Sequence, residues 1–234
     1  MASVLPSSAD QAIQTLVPVP SQSGESLPLE QRVVLYNVSW DTYERLVDEI
    51  NNPGTRLLYD EGQLEIMSPR ERHDRCKELL GRLVEVVTEE LNMTLRSTGS
   101  TTWRRKTKKK GIEADKSYYL TSAPKVRGKP EVDLKSDPPP DLAIEVENTS
   151  SAIDQLAIYA TLKVPEVWRY DGVTLTIHAL QNNRSYVEQN QSQFFPQEAT
   201  VKMVEWLAKC DEIDEVEWVR EFRRWVRENL VKAR

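Results

Sequence analysis

The segment PPPDLAIEVEN, Pro138 to Asn148, spaces Asp141, Glu145 and Glu147 along a run that reads as a strand. Successive strand side chains point to opposite faces, so Leu142, Ile144 and Val146 line one face and Asp141, Ala143, Glu145 and Glu147 the other. Like charges two residues apart repel unless a cation or a proton sits between them, so the acidic face requires a partner. A second acidic stripe occurs in GIEADKSYYL, where Glu113, Asp115, Ser117 and Tyr119 alternate with Ile112, Ala114, Lys116 and Tyr118. If the two strands are neighbours, Asp115 and Glu145 approach closely enough to hold one divalent cation. Mg²⁺ is commonly bound by one or two carboxylates together with waters and substrate phosphate. The competing reading leaves both acids on a solvated face, and spacing alone does not separate the two.

Other residues are candidates for the same chemistry. His73 starts a stretch in which Cys76, Leu79, Leu80, Leu83, Val84, Val87 and Leu91 recur at three- and four-residue spacing, the pattern of an amphipathic helix. At about 100° per residue His73 points inward, with Glu78 and Glu85 nearly opposite. The favoured reading from the residues alone is a helix-start histidine hydrogen-bonded to backbone. Glu65 in QLEIMSP shares parity with Gln63 and Met67 and either faces the site or is solvated. The run WRRKTKKKG places six cations between Arg104 and Lys110, directly before the strand bearing Asp115. Arg104, Arg105, Lys108 and Lys109 are candidate phosphate contacts, against the alternative of a solvated hairpin tip. Trp40, Trp168 and Trp206 fit core positions rather than a stacking platform for bases.

The elements that must position these groups follow from patterning. Residues 1–30, rich in Ser, Pro and Gln without periodicity, predict a disordered leader. RVVLYNV reads as a strand, SWDTYERLVDEI as a helix capped by Ser39 and ended at NNPG, and TRLLYDEGQLEIMSP as a hairpin turning at Asp60 to Gly62. TLRSTGSTTWRR and KGIEADKSYYL form a second strand pair. DLAIEVE, a helix from about Ala152 to Leu162, and the hairpin EVWRYDGVTLTIHAL follow, and the chain is helical and charged from Val201. One helix between DLAIEVE and EVWRYD predicts an α/β sheet with a parallel crossover. We expect one domain over residues 31–198, with 199–234 as a helical extension packed on it.

Composition narrows the classes. A chain of 234 residues with 39% hydrophobic content can bury a sizeable core. It contains no run of about 18 apolar residues and no signal-peptide pattern, which predicts a soluble, cytoplasmic protein without membrane contact. Cys76 and Cys210 lack the spacing of a zinc site or a disulfide framework. The net charge of −6 argues against an indiscriminate polyanion binder but permits a local basic patch.

Taken in order, SWDTYERLVDE, RLLYDEGQLEIMSP, HDRCKELLGRLVEVV, GSTTWRR, GIEADKSYYL, PPPDLAIEVENTSS and IYATLKVPEVWRYDG resemble the Uma-type restriction endonuclease family over about Val33 to Leu180, with a weaker FRRWVRE near the end. The resemblance implies the PD-(D/E)XK nuclease fold, a mixed sheet flanked by helices, and hydrolysis of DNA phosphodiesters dependent on Mg²⁺ or Mn²⁺. It assigns the first catalytic acid to Asp115, the second to Glu145 and the helix-start histidine to His73. A homodimer would suit double-strand cutting by a subunit with one site. One position departs from the pattern. Many nucleases of this superfamily carry a lysine two residues after the second acid, where this chain has Glu147. The Uma-type family instead supplies it just before the IYA segment, and there this chain has Gln155. A neutral amide is a feeble substitute for a cation where charge develops at phosphorus. Lys163 is the nearest lysine along the helix, about 12 Å of rise away. The departure keeps open a non-catalytic nucleic-acid-binding or regulatory module, or a domain that uses the acidic pocket for a small ligand or a protein partner.

Overall fold

The computed structural model describes residues 31–49, 55–68, 71–146 and 151–232. The expected leader, the NNPG turn and Glu147 lie outside the described residues. The expected α/β class is present, with its strands divided between two sheets rather than one. The first sheet contains β1 (Gln31–Leu35), β2 (Arg56–Asp60), β3 (Gln63–Ser68), β5 (Thr102–Arg105) and β6 (Lys110–Glu113) in the order β1-β3-β2-β6-β5, all antiparallel. The second contains β4 (Arg96–Gly99), β7 (Lys116–Tyr119), β8 (Leu142–Val146), β9 (Glu166–Tyr170), β10 (Leu175–Leu180) and β11 (Tyr186–Gln189) in the order β11-β10-β9-β8-β7-β4. There β8 and β9 run parallel, joined by helix α4 (Gln155–Leu162), as the crossover pattern predicts.

Local chemistry accounts for the boundaries. Helix α1 (Trp40–Glu49) starts where Ser39 Oγ accepts the Thr42 amide at 3.1 Å. The β2–β3 hairpin turns on Glu61 and Gly62, both at positive φ, the backbone that a two-residue turn between twisted strands requires. Asp154 caps α4 through the Ala157 amide at 3.1 Å. The remaining helices are α2 (Glu71–Glu90), the single turn α3 (Ala123–Val126), α5 (Gln197–Leu207) and α6 (Glu215–Val226).

The expected second hairpin forms and is broken in both arms. One arm is β4 then β5, the other β6 then β7, and each passes from one sheet to the other at its break. The pairing of β4 with β7 shifts register between Ser97 and Gly99, and Gly99 takes φ +56. Such an irregularity bends a strand and re-aims its side chains. Ser100 Oγ donates to the Asp115 carbonyl at 3.1 Å and ties the two break points together.

Burial follows three layers. Leu142, Ile144 and Val146 of β8 pack with Leu79, Leu83 and Val87 of α2, Trp168, and Met203 and Phe222 of α5 and α6. On the other side Ala143 joins Leu58, Trp103, Ile112, Ile158 and Val167, with α4 against β5 and β6. The outer face of the first sheet is covered by Trp40 and Tyr43 of α1 over Leu57, Tyr59 and Leu64. β8 is therefore buried on both faces, so its acidic side faces protein partners rather than solvent.

Gly111 of β6 lies directly under Tyr43 of α1: a Cβ there would collide with the tyrosine hydroxyl and ring. We expect Gly111→Ala to cost about 1–3 kcal/mol of stability by overpacking, read as a lowered urea or thermal midpoint. An unchanged midpoint would mean that α1 does not seat on β6 in this way.

Candidate active site

The antiparallel register of β7 on β8 pairs Lys116 with Ile144 and Ser117 with Ala143. One step beyond, at the break before β7, Asp115 turns against the end of β8 and accepts the amide of Val146, the residue after Glu145. Neighbouring carboxylates repel, the more so when water is excluded. Asp115 is 2% and Glu145 5% exposed, so the reading of both as solvated surface residues is overturned.

Each acid is held by partners. Asp115 Oδ2 accepts the Val146 amide at 2.8 Å, and Oδ1 lies 2.9 Å from His73 Nε2. His73, in the first turn of α2, is buried as its helical phase predicts. Its Nε2 meets a carboxylate, which corrects the backbone-bonded reading. The Tyr159 hydroxyl of α4 donates to Glu145 Oε1. Burial first, and Glu145 second, hold the Tyr159 phenol far above its ordinary pKa, so it remains a donor.

A cation completes the cluster. Arg56, the first residue of β2, places one terminal nitrogen 2.6 Å from Glu113 Oε1 and the other 3.5 Å from Asp115 Oδ1. Burial alone would lower the guanidinium pKa, but Asp115, Glu113 and Glu145 together raise it. Burial pushes the Glu113 carboxyl up against the opposing pull of Arg56. One turn after His73, the mostly buried Lys77 pairs with Asp74 at 2.8 Å.

Gln155, the first residue of α4, lies one turn before Tyr159 and shares its face. Its amide oxygen is buried with no hydrogen-bond partner. Lys163 sits exposed at the far end of the helix in the left-handed C-cap position.

The donor chemistry suits a hard divalent cation, because Asp115 and Glu145 supply carboxylate oxygens in one buried cluster and Mg²⁺ completes its shell with waters. Among the described residues no cluster of three or more Asp, Glu, His or Cys forms a ready cage. Arg56 already provides one positive charge there.

Other predicted residues lie elsewhere. Asp141 is buried and accepts the Leu120 and Ser122 amides at 2.7 and 2.8 Å, a structural tie. Glu65, fully buried, meets Arg32 at 2.7 Å, Ser151 Oγ at 2.9 Å and the Ala152 amide at 2.8 Å, so it anchors the segment leading into α4. The basic run closes the β5–β6 hairpin. Arg104 pairs with Asp48, Lys106 with Glu44, and Lys110 with Asp60, while Arg105 donates to the Leu134 carbonyl. Lys108 and Lys109 occupy the exposed tip. Arg104 and Lys106 also line a polar cleft with Arg96 and Lys135.

Arg56 and Tyr159 escaped sequence reasoning. Tyr159 was detectable as the i+4 neighbour of Gln155, whereas Arg56 showed only as a charge opening an apolar strand. Tyr159→Phe removes one buried donor to Glu145 and should cost about 1–3 kcal/mol of stability, measured by chemical denaturation. No loss would detach the α4 hydroxyl from the acidic pair.

The sequence matches over residues 40–208 the model of the family Uma2, described as "Putative restriction endonuclease". No curated protein matches it. Among solved structures, the crystal structure of a putative nuclease belonging to DUF820 from Anabaena variabilis ATCC 29413 is similar with a TM-score of 0.45 at 14% identity, over 73% of this chain and 99% of that one. With most of the chain inside the family model, from α1 through α5, the protein belongs to the Uma2 restriction endonuclease family.

Proposed function

We propose that the protein is a Mg²⁺- or Mn²⁺-dependent DNA endonuclease whose turnover is weakened by Gln155. The observation that carries this reading is the juxtaposition of the two buried acids, Asp115 and Glu145, on adjacent strands beneath the Gln155 face of α4. Asp115 and Glu145 would hold the cation, His73 and the Val146 amide orient Asp115, and Tyr159 orients Glu145. When bound, the metal supplies charge neutralisation at the scissile phosphate and a more acidic water. The protein's own contribution is to keep both acids in place and to exclude bulk water.

Arg104, Arg105, Lys108 and Lys109 are the proposed contacts to the phosphate backbone. Lys108 and Lys109 at the hairpin tip are the more accessible, because Arg104 and Arg105 already have partners in the protein. A homodimer would bring two such sites to a duplex. A cytoplasmic location is consistent with the described residues, which include no helix long and apolar enough to cross a membrane. The second reading, a nucleic-acid-binding or regulatory module without turnover, is favoured by one observation: the amide at 155 occupies the family's lysine position.

Mg²⁺ or Mn²⁺ should raise the melting temperature, since a ligand bound only to the native state at 100 times its Kd stabilises by about 2.7 kcal/mol. Glu145→Ala should abolish that response. A metal shift that survives the substitution would remove Glu145 from the site.

Gln155→Lys restores a cation where charge develops, and groups of this kind are worth about 10²-fold or more in rate. Cleavage of plasmid DNA with Mn²⁺ should therefore be slow in the native protein, clearly faster in Gln155→Lys, and absent from Asp115→Ala in either background. Robust native cleavage that the lysine slows would overturn the assigned role of position 155. DNA binding without cleavage by either protein would favour the module.

A further inference from the structure

The acidic cluster contains a permanent cation, the buried guanidinium of Arg56. Arg56 comes from β2 in the first sheet, whereas Asp115 follows the break after β6 and Glu145 belongs to β8 in the second. Arg56 is 4% exposed, and its terminal nitrogens are engaged by Glu113 at 2.6 Å and Asp115 at 3.5 Å, with Asp74 at 3.9 Å. Its Nε is buried without a hydrogen-bond partner. An orphaned donor on a buried charged group is rare in folded proteins and calls for an acceptor. A guanidinium also cannot shed its proton to relieve burial. It therefore adds a fixed positive charge beside two acids that lack the lysine normally supplied from α4.

We propose that Arg56 is a catalytic residue of this site, a resident cation that assumes the charge-stabilising role lost at Gln155 by donating to a phosphoryl oxygen of the nucleic-acid substrate. The inference rests on the nuclease reading above. A purely structural arginine at this place would shift metal affinity alone, whereas a catalytic one shifts the cleavage rate as well. With its terminal nitrogen 3.5 Å from Asp115 Oδ1, this fixed charge would oppose the binding of a divalent ion by that carboxylate, because like charges repel even at the effective dielectric of a protein. Arg56 thus weakens metal binding while it strengthens stabilisation of the pentacovalent phosphate. The two effects have opposite signs.

The test compares the native protein with Arg56→Gln and Arg56→Lys, measuring the Mn²⁺ dissociation constant by calorimetry and the single-turnover cleavage rate at saturating Mn²⁺, each also in the Gln155→Lys background. Arg56→Gln should bind Mn²⁺ at least about tenfold more tightly and cleave about 10²-fold more slowly. Arg56→Lys should keep the native metal affinity within a few-fold. In the Gln155→Lys background the rate loss should shrink, because the restored lysine covers the same charge. If Arg56→Gln does not fold, the pair Arg56→Gln with Glu113→Gln removes the uncompensated carboxylate and gives the same readouts.

Metal affinity that is unchanged or weaker in Arg56→Gln would overturn the resident-cation role, as would a cleavage rate that does not fall. No Mn²⁺ binding by any variant would defeat the nuclease reading and this inference together. Binding and cleavage that are present but indifferent to Arg56 would defeat the inference alone.

Discussion

Two buried carboxylates, Asp115 at the break before β7 and Glu145 on β8, are the constraint around which this site is arranged. Such a pair is unfavourable in isolation, because neither the desolvation of each charge nor their mutual repulsion is offset by the strand pairing that juxtaposes them. Asp115 is stabilised by a histidine, a backbone amide and an arginine, and Glu145 by a tyrosine hydroxyl. Each partner comes from a different element: His73 from α2, Val146 from β8, Arg56 from β2 and Tyr159 from α4. The site is therefore a junction of four elements, and its geometry depends on the docking of the two sheets and on the packing of α2 and α4.

The broken hairpin creates that junction. A continuous strand through Glu113 and Asp115 would keep both acids in one sheet and on one face. The break after β6 lets the chain leave the first sheet at Glu113, still within reach of Arg56, and enter the second at Lys116 with Asp115 turned toward β8. Gly99, at positive φ in the opposite arm, accommodates the same bend. The Ser100 hydroxyl on the Asp115 carbonyl keeps the two bends together. The local irregularity and the chemical site are the same feature.

The segment entering α4 is governed from the first sheet. Glu65 on β3 receives the Ser151 hydroxyl and the Ala152 amide, and Asp154 then caps the helix, so the start of α4 is fixed by two carboxylates before Gln155 is reached. With that start in place, Tyr159 reaches Glu145 and the Gln155 side chain lies one turn away on the same face. The helix thus presents the Gln155 amide one turn before Tyr159, while the guanidinium that meets Asp115 arrives from the other sheet.

Much of this was legible in the residues alone. Period-two alternation identified β8, and 3.6-residue periodicity identified α2 and the inward direction of His73, because these signals are carried by neighbours along the chain. The parallel crossover followed from a single helix between two strands. The partition into two sheets was not legible. A strand that changes sheets keeps its alternation, so its break leaves almost no trace in the pattern of side chains. Nor did spacing reveal Arg56, which lies 59 positions before Asp115 and 89 before Glu145 in the chain, since ion pairing between distant segments depends on docking rather than on local propensity. The sequence by itself determined the elements, the two acidic stripes and the basic run. Only the tertiary structure decided that both faces of β8 are buried, that His73 meets Asp115, and that Arg56 reaches the same carboxylate, because each of these requires several separately formed surfaces to close on one point.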